Sequence, residues 1–246
     1  MRFIFIPRSG LWLLAGGMVF TIFTAGIILF FEGTRKTNGW LREIRILVDP
    51  GHGGVDGGTK DYQGNLEKDT NLKVALRLRR HLYQSGFRVF LTRKTDRDLS
   101  PSSHYRDLMA RIRKYWDYRC LLLVSIHCDW SPDFTKKGAR VFYNLHSPES
   151  KRLAECVQAG LNKFQEAPKR ALPGRFFIIN QPGVTGVLVE IGLMSNRENA
   201  EKLQNRNYQE QLALVIAGGI LNYCGEYLLP SRAYFYKTFA LGTREL

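Results

Sequence analysis

The sequence predicts an α/β fold in which a mostly parallel or mixed central sheet is flanked by helices. Three observations predict it: short apolar runs, amphipathic helical patterns that alternate with them, and polar or glycine-rich loops where the runs end. The 246 residues are 44% hydrophobic, which is enough for one ordinary core once an N-terminal segment is set aside. We therefore expect a single domain over residues 44–229.

The first half of this domain contains three apolar runs with the character of strands. They are IRILVDP (44–50), FRVFLTR (87–93) and LLLVSIH (121–127). Between the first two runs, apolar side chains recur at helical spacing, at Leu72, Ala75, Leu76, Leu82 and Tyr83. Gly86 is predicted to end this helix.

The second half contains further apolar runs. They are ARVFYNL (139–145), FFIIN (176–180) and VLVEIG (187–192). A helical stretch is predicted near residues 148–164. The segment SNRE (195–198) has the form of a capping box and predicts a second helical stretch that continues to Cys224, with a break near Asn207.

The N-terminal segment carries LWLLAGGMVFTIFTAGIILFF (residues 11–31), which has no charged residue and is long enough for a transmembrane helix. A cleaved signal peptide is the alternative, because residues 24–26 are small. However, the apolar run continues past them and no A-x-A site follows. We expect residues 1–31 to be a membrane anchor, 32–43 a linker and 230–246 a basic aromatic tail.

The net charge bears on the class of partner, and the cysteine spacing bears on disulfide bonding and metal binding. The net charge of +14 favours an anionic wall polymer, a phospholipid surface or nucleic acid, although a solvated basic surface explains it equally well. We expect no nucleic-acid partner, because no recognised nucleic-acid-binding motif is present. The four cysteines form no CxxC pair and are expected to be buried free thiols: Cys120, Cys128, Cys156 and Cys224.

Four residues with metal-binding or acid–base chemistry fall at the ends of predicted elements. His52 lies in the glycine-rich loop after the first strand, Glu67 begins the first helix, His127 ends LLLVSIH and Glu190 ends VLVE. The carboxyl ends of neighbouring parallel strands form one crevice, so these side chains can converge. Two histidines and one carboxylate are a usual catalytic zinc set, with the fourth position left for water. A carboxylate kept off the metal, here Glu190, can then transfer the proton of that water.

Each of these residues also has an ordinary structural explanation. A histidine at a strand end is often a hydrogen-bonded core residue, and a glutamate at a helix start stabilises the helix dipole. The loop GHGGVDGGTK lacks the Gly-Lys-Ser/Thr ending of a P-loop, so a phosphate site is not predicted. Cys128 should point away from the metal, because strand neighbours face opposite sides. The remaining histidines are expected on the surface: His81, His104 and His146.

Five motifs in order resemble the zinc-dependent N-acetylmuramoyl-L-alanine amidase family over about residues 44–225. They are VDPGHGG (48–54), LEKD (66–69), LTR (91–93), SIH (125–127) and LVEIGLMSN (188–196). The resemblance implies that His52, Glu67 and His127 bind Zn²⁺, that Glu190 is the catalytic residue and that the substrate is peptidoglycan. Arg111, in MARIR, matches a family arginine for which a structural or substrate-positioning role is expected.

Within that family, the short single domain, the predicted anchor and the segments EKDTNLKVALRLR and TRKTDRDLSP look most like the germination-specific amidases of spore formers. This implies a role in forming cortex muramic lactam, with the catalytic domain held outside the cytoplasm, as in the spore intermembrane space. The alternatives are a vegetative autolysin of the same reaction, a zinc peptidase or deacylase, and a non-catalytic peptidoglycan-binding membrane protein.

Three departures from the family pattern bear on groove shape rather than on the predicted ligands: Thr185, Asp129 and Leu193. No autoinhibitory helical insertion is expected between SIH and Glu190, so control would come from expression, location or an activating partner protein.

Overall fold

A computed structural model of the chain describes residues 41–101 and 103–228. The folded part is one compact unit that begins at Ile44. The predicted membrane anchor and the whole basic tail lie outside the described residues, as does most of the predicted linker. Among the helices that the structure describes, none is long and apolar enough to cross a membrane.

The predicted alternation of strands and helices is present. The elements are β1 (Arg45–Pro50), α1 (Glu67–Gln84), β2 (Arg88–Leu91), α2 (His104–Asp117), β3 (Leu122–Asp129), β4 (Arg140–Tyr143), α3 (Pro148–Asn162), β5 (Leu172–Pro173), a 3-10 turn (Phe177–Ile179), β6 (Gly186–Leu193), α4 (Arg197–Gln204), α5 (Arg206–Tyr223) and a π-helical turn (Cys224–Leu228). The helix α2 was not among the predicted helices.

The strands form one six-stranded mixed sheet in the order β2-β1-β3-β6-β4-β5. The four strands β2, β1, β3 and β6 are parallel, whereas β4 is antiparallel to β6 and parallel to β5. The chain moves outward from β1 to β2 and then back past β1 to β3. Because both crossovers are expected to be right-handed, α1 and α2 are expected on opposite faces of the sheet.

Packing on both faces explains the apolar runs. Leu47, Leu123 and Leu188 belong to one buried cluster with Ile112 of α2 and Ile178 of the 3-10 turn. The helix α1 contacts β1, β2 and β3, and α5 packs against α1 and α3. Every residue of β6 is buried. A strand covered on both faces needs apolar residues throughout, so it reads as a continuous run rather than an alternating one.

Two local predictions were wrong. The run FFIIN forms a 3-10 turn instead of a strand. The helix α4 begins after Asn196, whose side chain accepts the backbone N–H of Asn199, so the N-cap is Asn196 and not Ser195. The predicted break near Asn207 is confirmed: it lies at Asn205, whose side chain caps α5 by accepting the backbone N–H of Asn207.

Residues 130–185, where no autoinhibitory insertion was expected, are all described. They contain one α-helix, α3, which packs against α5 and β4.

Candidate metal centre and active site

The fold brings the three predicted metal ligands together. His52 follows β1, Glu67 is the first residue of α1 and His127 lies in β3. Their potential ligand atoms all lie within 4.8 Å of one another. Glu67 Oε1 is 3.2 Å from His52 Nε2 and 3.0 Å from His127 Nδ1. Because β1 and β3 are parallel neighbours, their carboxyl ends meet at this edge of the sheet.

Glu67 is buried and held by donors from three segments. Its Oε1 accepts the backbone N–H of Cys128 at 3.0 Å and the amide of Asn71 at 3.1 Å, and its Oε2 accepts the backbone N–H of Thr59 at 3.0 Å. Burial alone would raise the pKa of Glu67, but the hydrogen bonds with His127 and His52 outweigh it and hold that pKa well below its ordinary value. Glu67 is therefore an ionised carboxylate oriented toward both imidazoles.

His52 occupies a strained backbone position, with φ at 60°. Few residues other than glycine adopt this region, and strain of this kind is typical of functional sites. Its Nδ1 lies 2.8 Å from Asp56 Oδ2, which directs Nε2 toward Glu67. Burial lowers the pKa of His52, but the bonds to Glu67 and Asp56 outweigh it and leave the pKa raised.

Two glycines of the loop are required by close approach. A Cβ on Gly51 would lie 2.2 Å from His127 Cε1, so any side chain there would displace the imidazole. Gly58 has φ at +65°, and a Cβ there would lie 2.6 Å from Glu67 Oε2. The glycines therefore leave room for the ligands rather than binding anything themselves.

Arg111 lies beneath the loop that carries His52 and is 3% exposed. Its guanidinium forms ion pairs with Asp49 at 2.9 Å and Asp107 at 2.6 Å. It also donates to the carbonyls of Pro50 and His52, both at 2.8 Å. This geometry is that of a residue that positions the loop from below.

A second buried arginine, Arg93, supports the same loop, although the sequence patterns had assigned it no role. It is 1% exposed and donates only to backbone carbonyls, including those of Pro50, Gly51 and Lys68. It thereby links the His52 loop to the first turn of α1, next to Glu67. Its place in the LTR motif was the available signal.

Glu190 lies in β6 as the direct partner of His127 in β3. It is 8% exposed, and its Oε2 is buried without a hydrogen-bond partner among the described residues. Burial, together with the nearby carboxylates of Glu67 and Asp129, raises the pKa of Glu190 well above its ordinary value. The metal-ligand cluster and a second carboxylate that can exchange a proton are thus side by side.

The other predictions for histidine had mixed outcomes. His104 and His146 are exposed, as expected, and His104 lines the same cavity as His52, His127 and Arg111. The prediction for His81 was wrong, because its side chain is 18% exposed and its Nε2 lies 2.6 Å from Glu210 Oε1.

The cysteines are free thiols, and three of the four are buried while Cys156 is half-buried. Cys128 is outside the ligand cluster. Its thiol donates a hydrogen bond to Asn71 Oδ1.

The residues present fit a zinc ion. Two imidazoles and one carboxylate are a donor set of catalytic zinc sites. Zinc-ligating histidines usually have their outer ring nitrogen held by a carboxylate, and Asp56 occupies that position on His52. The three donors also come from three separate segments of the chain, so their convergence is a tertiary property.

Comparison with known families agrees with this geometry. Residues 46–222 match the model of the N-acetylmuramoyl-L-alanine amidase family, Amidase_3. The chain therefore belongs to that family.

The germination-specific N-acetylmuramoyl-L-alanine amidase of Bacillus subtilis (strain 168) is 35% identical over 190 residues, which cover 74% of this chain and 80% of the relative. The N-acetylmuramoyl-L-alanine amidase LytC of the same organism is 31% identical over 184 residues, or 72% of this chain but 35% of LytC. Among solved structures, the CwlD amidase from Clostridioides difficile, in complex with the GerS lipoprotein, has a TM-score of 0.68 and 28% identity, covering 73% of this chain and 98% of that one.

Proposed function

We propose that this chain is a zinc-dependent amidase that hydrolyses the amide between the lactyl group of muramic acid and the L-alanine of the peptidoglycan stem peptide. One observation carries the proposal: in a member of this amidase family, the His52–Glu67–His127 cluster lies beside the buried carboxylate of Glu190, whose Oε2 has no hydrogen-bond partner among the described residues.

The roles divide between the metal ligands and Glu190. His52, Glu67 and His127 would hold the zinc ion, which when bound supplies a Lewis acid for the amide carbonyl and for water. Glu190 takes the proton of the attacking water and returns it to the alanine nitrogen as the C–N bond breaks. Its Oε2 is available for that proton because no described residue bonds it. No serine or cysteine nucleophile takes part.

For the biological setting we propose a membrane-anchored enzyme outside the cytoplasm that acts on spore-cortex peptidoglycan, with an activating partner protein. The 35% identity to a germination-specific amidase supports the cortex role, and the complex of the CwlD amidase with the GerS lipoprotein supports a partner. The predicted anchor at residues 11–31 supports the location. The similarity to LytC favours a second candidate, a vegetative autolysin of the same reaction.

The reaction is tested by mass spectrometry of products. The full-length chain, purified in mild detergent, is incubated with peptidoglycan after zinc removal and after zinc is restored. Zinc-dependent release of intact stem peptides that begin with L-alanine is expected. Release of shortened peptides or of acetate would indicate a peptidase or deacylase instead, and binding without release would favour a non-catalytic wall protein.

The setting is tested by deleting the gene. Loss of muramic lactam from spore cortex is expected for the germination role. Normal cortex with unseparated vegetative cells would instead support the autolysin.

A further inference from the structure

Two buried polar atoms near the candidate site lack partners. Among the residues that the structure describes, Arg140 Nε and Glu190 Oε2 are the buried side-chain nitrogen and oxygen atoms without a hydrogen bond. They belong to residues that are directly opposite each other in β4 and β6. Leaving a buried polar group unpaired is unfavourable, because the group loses its hydrogen bonds to water. Two such groups side by side therefore indicate a place where a ligand supplies the missing partners.

Arg140 continues the row of catalytic side chains across the sheet. His127 is the partner of Glu190, and Glu190 is the partner of Arg140. Directly paired residues point to the same face, with Cβ atoms about 4.5–5.5 Å apart in an antiparallel pair. Arg140 thus begins β4 at the edge of the sheet where the metal ligands converge.

The guanidinium of Arg140 lacks hydrogen-bond partners among the described residues, in contrast to those of Arg93 and Arg111 at the same edge of the sheet. Arg93 and Arg111 each make several hydrogen bonds to carbonyls or carboxylates. Within the described residues, the side chain of Arg140 forms no hydrogen bond and no ion pair, not even with Glu190.

A second cation lies close to Arg140. The half-buried ammonium of Lys169 donates to the carbonyl of Gly138 at 2.8 Å and to that of Lys137, which leaves one of its three N–H groups. Burial and then the charge of Arg140 lower the pKa of Lys169, against an opposing effect of Asp129. Asp129, whose charge raises the pKa of Lys169, forms an ion pair with neither cation among the described residues.

We propose that Arg140 and Lys169 form an anion-binding subsite that holds a carboxylate of the stem peptide while Glu190 acts on the neighbouring amide. This inference rests on the proposed function and adds the orientation of the substrate. The lactyl carboxyl group is consumed in the scissile amide, and the sugars bear hydroxyl and acetamido groups without charge. The anions of the substrate therefore lie on its peptide side. The peptide extends toward β4, and the glycan lies on the other side of the metal ligands.

The test compares soluble muropeptides whose stem-peptide carboxylates are free with the same molecules in which they are amidated. Full-length, zinc-loaded wild type is expected to prefer the free acids by about tenfold or more in kcat/KM, chiefly through a lower KM. Charge-assisted hydrogen bonds contribute about 1.5–3 kcal/mol, and each 1.4 kcal/mol corresponds to a factor of ten. Arg140→Gln should bring that preference close to one, and Arg140→Lys should retain part of it. Lys169→Gln should reduce the preference less, because two N–H groups of that ammonium already donate to backbone carbonyls.

Arg88→Gln is the matched control, since it removes one positive charge from an exposed position at the opposite end of the parallel strands. It should retain the wild-type preference. A wild-type enzyme without preference, or an Arg140→Gln variant that keeps it, would overturn the subsite. Calorimetry measures the affinity of the same proteins for the free and the amidated stem peptides, and so tests the subsite without turnover. If wild type hydrolyses neither muropeptide, the proposed function fails, and the binding of the two peptides still decides the inference.

Discussion

The two sides of the candidate site differ in how their polar groups are satisfied. Beneath the loop after β1, Asp49 accepts hydrogen bonds from Arg111, Thr92 and Ser125, and Arg93 donates to several carbonyls. Across β6 and β4, Glu190 and Arg140 each keep a buried polar atom without a partner among the described residues. The first side is built as a support, and the second side leaves its polar groups available to a substrate.

This difference has opposite energetic consequences. Removing one partner of a buried, paired charge leaves the other charge uncompensated and strongly destabilises a protein. Removing a group that has no partner breaks no bond in the folded state. Substitutions beneath the loop should therefore lower the free energy of unfolding, whereas substitutions across β6 and β4 should lower turnover or substrate affinity.

Arg111→Met should have the largest effect on stability. It leaves the buried Asp49 carboxylate without its cation, and such a change typically costs about 3–5 kcal/mol. Urea unfolding of the zinc-free protein measures it. Arg88→Met, at an exposed position, is the matched control and should change the free energy of unfolding by less than about 0.5 kcal/mol. A loss from Arg111→Met no larger than that of the control would mean that the ion pair does not support the loop.

Gly51→Ala should weaken zinc binding more than folding. The added Cβ would lie 2.2 Å from the His127 ring, so the imidazole must move. We expect a loss of zinc affinity of at least the 10–100-fold that follows removal of a ligand's supporting group, measured by competition with a chelator. Gly218→Ala, where no atom lies within 4 Å of the added Cβ, should leave zinc affinity unchanged. Equal affinities in the two variants would contradict the proposed crowding at Gly51.

The smallest predicted effect is on the free energy of unfolding at acidic pH. Burial would raise the pKa of Asp49, but Arg111 and the hydroxyls of Thr92 and Ser125 outweigh it and leave the folded-state pKa lowered. The unfolded chain thus binds more protons than the folded one near the ordinary carboxyl pKa of about 3.9. The contribution of Asp49 is complete above that pH and is lost as pH falls through its folded-state value.

Urea midpoints measured as a function of pH should therefore fall less steeply in acid for Asp49→Asn than for wild type. Parallel curves would show that Asp49 does not carry this dependence.

The sequence predicted the proposed metal ligands and catalytic glutamate of the site. His52, Glu67, His127 and Glu190 each lie next to a strand end or helix start, and parallel strands must bring their carboxyl ends to one edge. The apolar runs were also sufficient to predict the mixed sheet. FFIIN was misleading because a short apolar run has no periodicity that separates a strand from a buried turn.

Arg140 could not be predicted from the sequence, for a physical reason. Arg140 appeared only as a charged residue at the start of an apolar run. What distinguishes it is the absence of any partner for its guanidinium in the described residues, which depends on the pairing of β4 with β6. The role of Arg93 could not be predicted either, because its acceptors are backbone carbonyls, which leave no pattern in the sequence.

The most direct test of the division between metal ligands and Glu190 is to measure bound zinc and amide hydrolysis on the same sample of Glu190→Gln. The variant should retain one zinc ion and a free energy of unfolding no lower than that of wild type, while turnover falls by about 10²–10⁴-fold, the usual contribution of general acid–base catalysis. Full turnover in the zinc-loaded variant would contradict the role of Glu190, and loss of zinc would place Glu190 among the metal ligands.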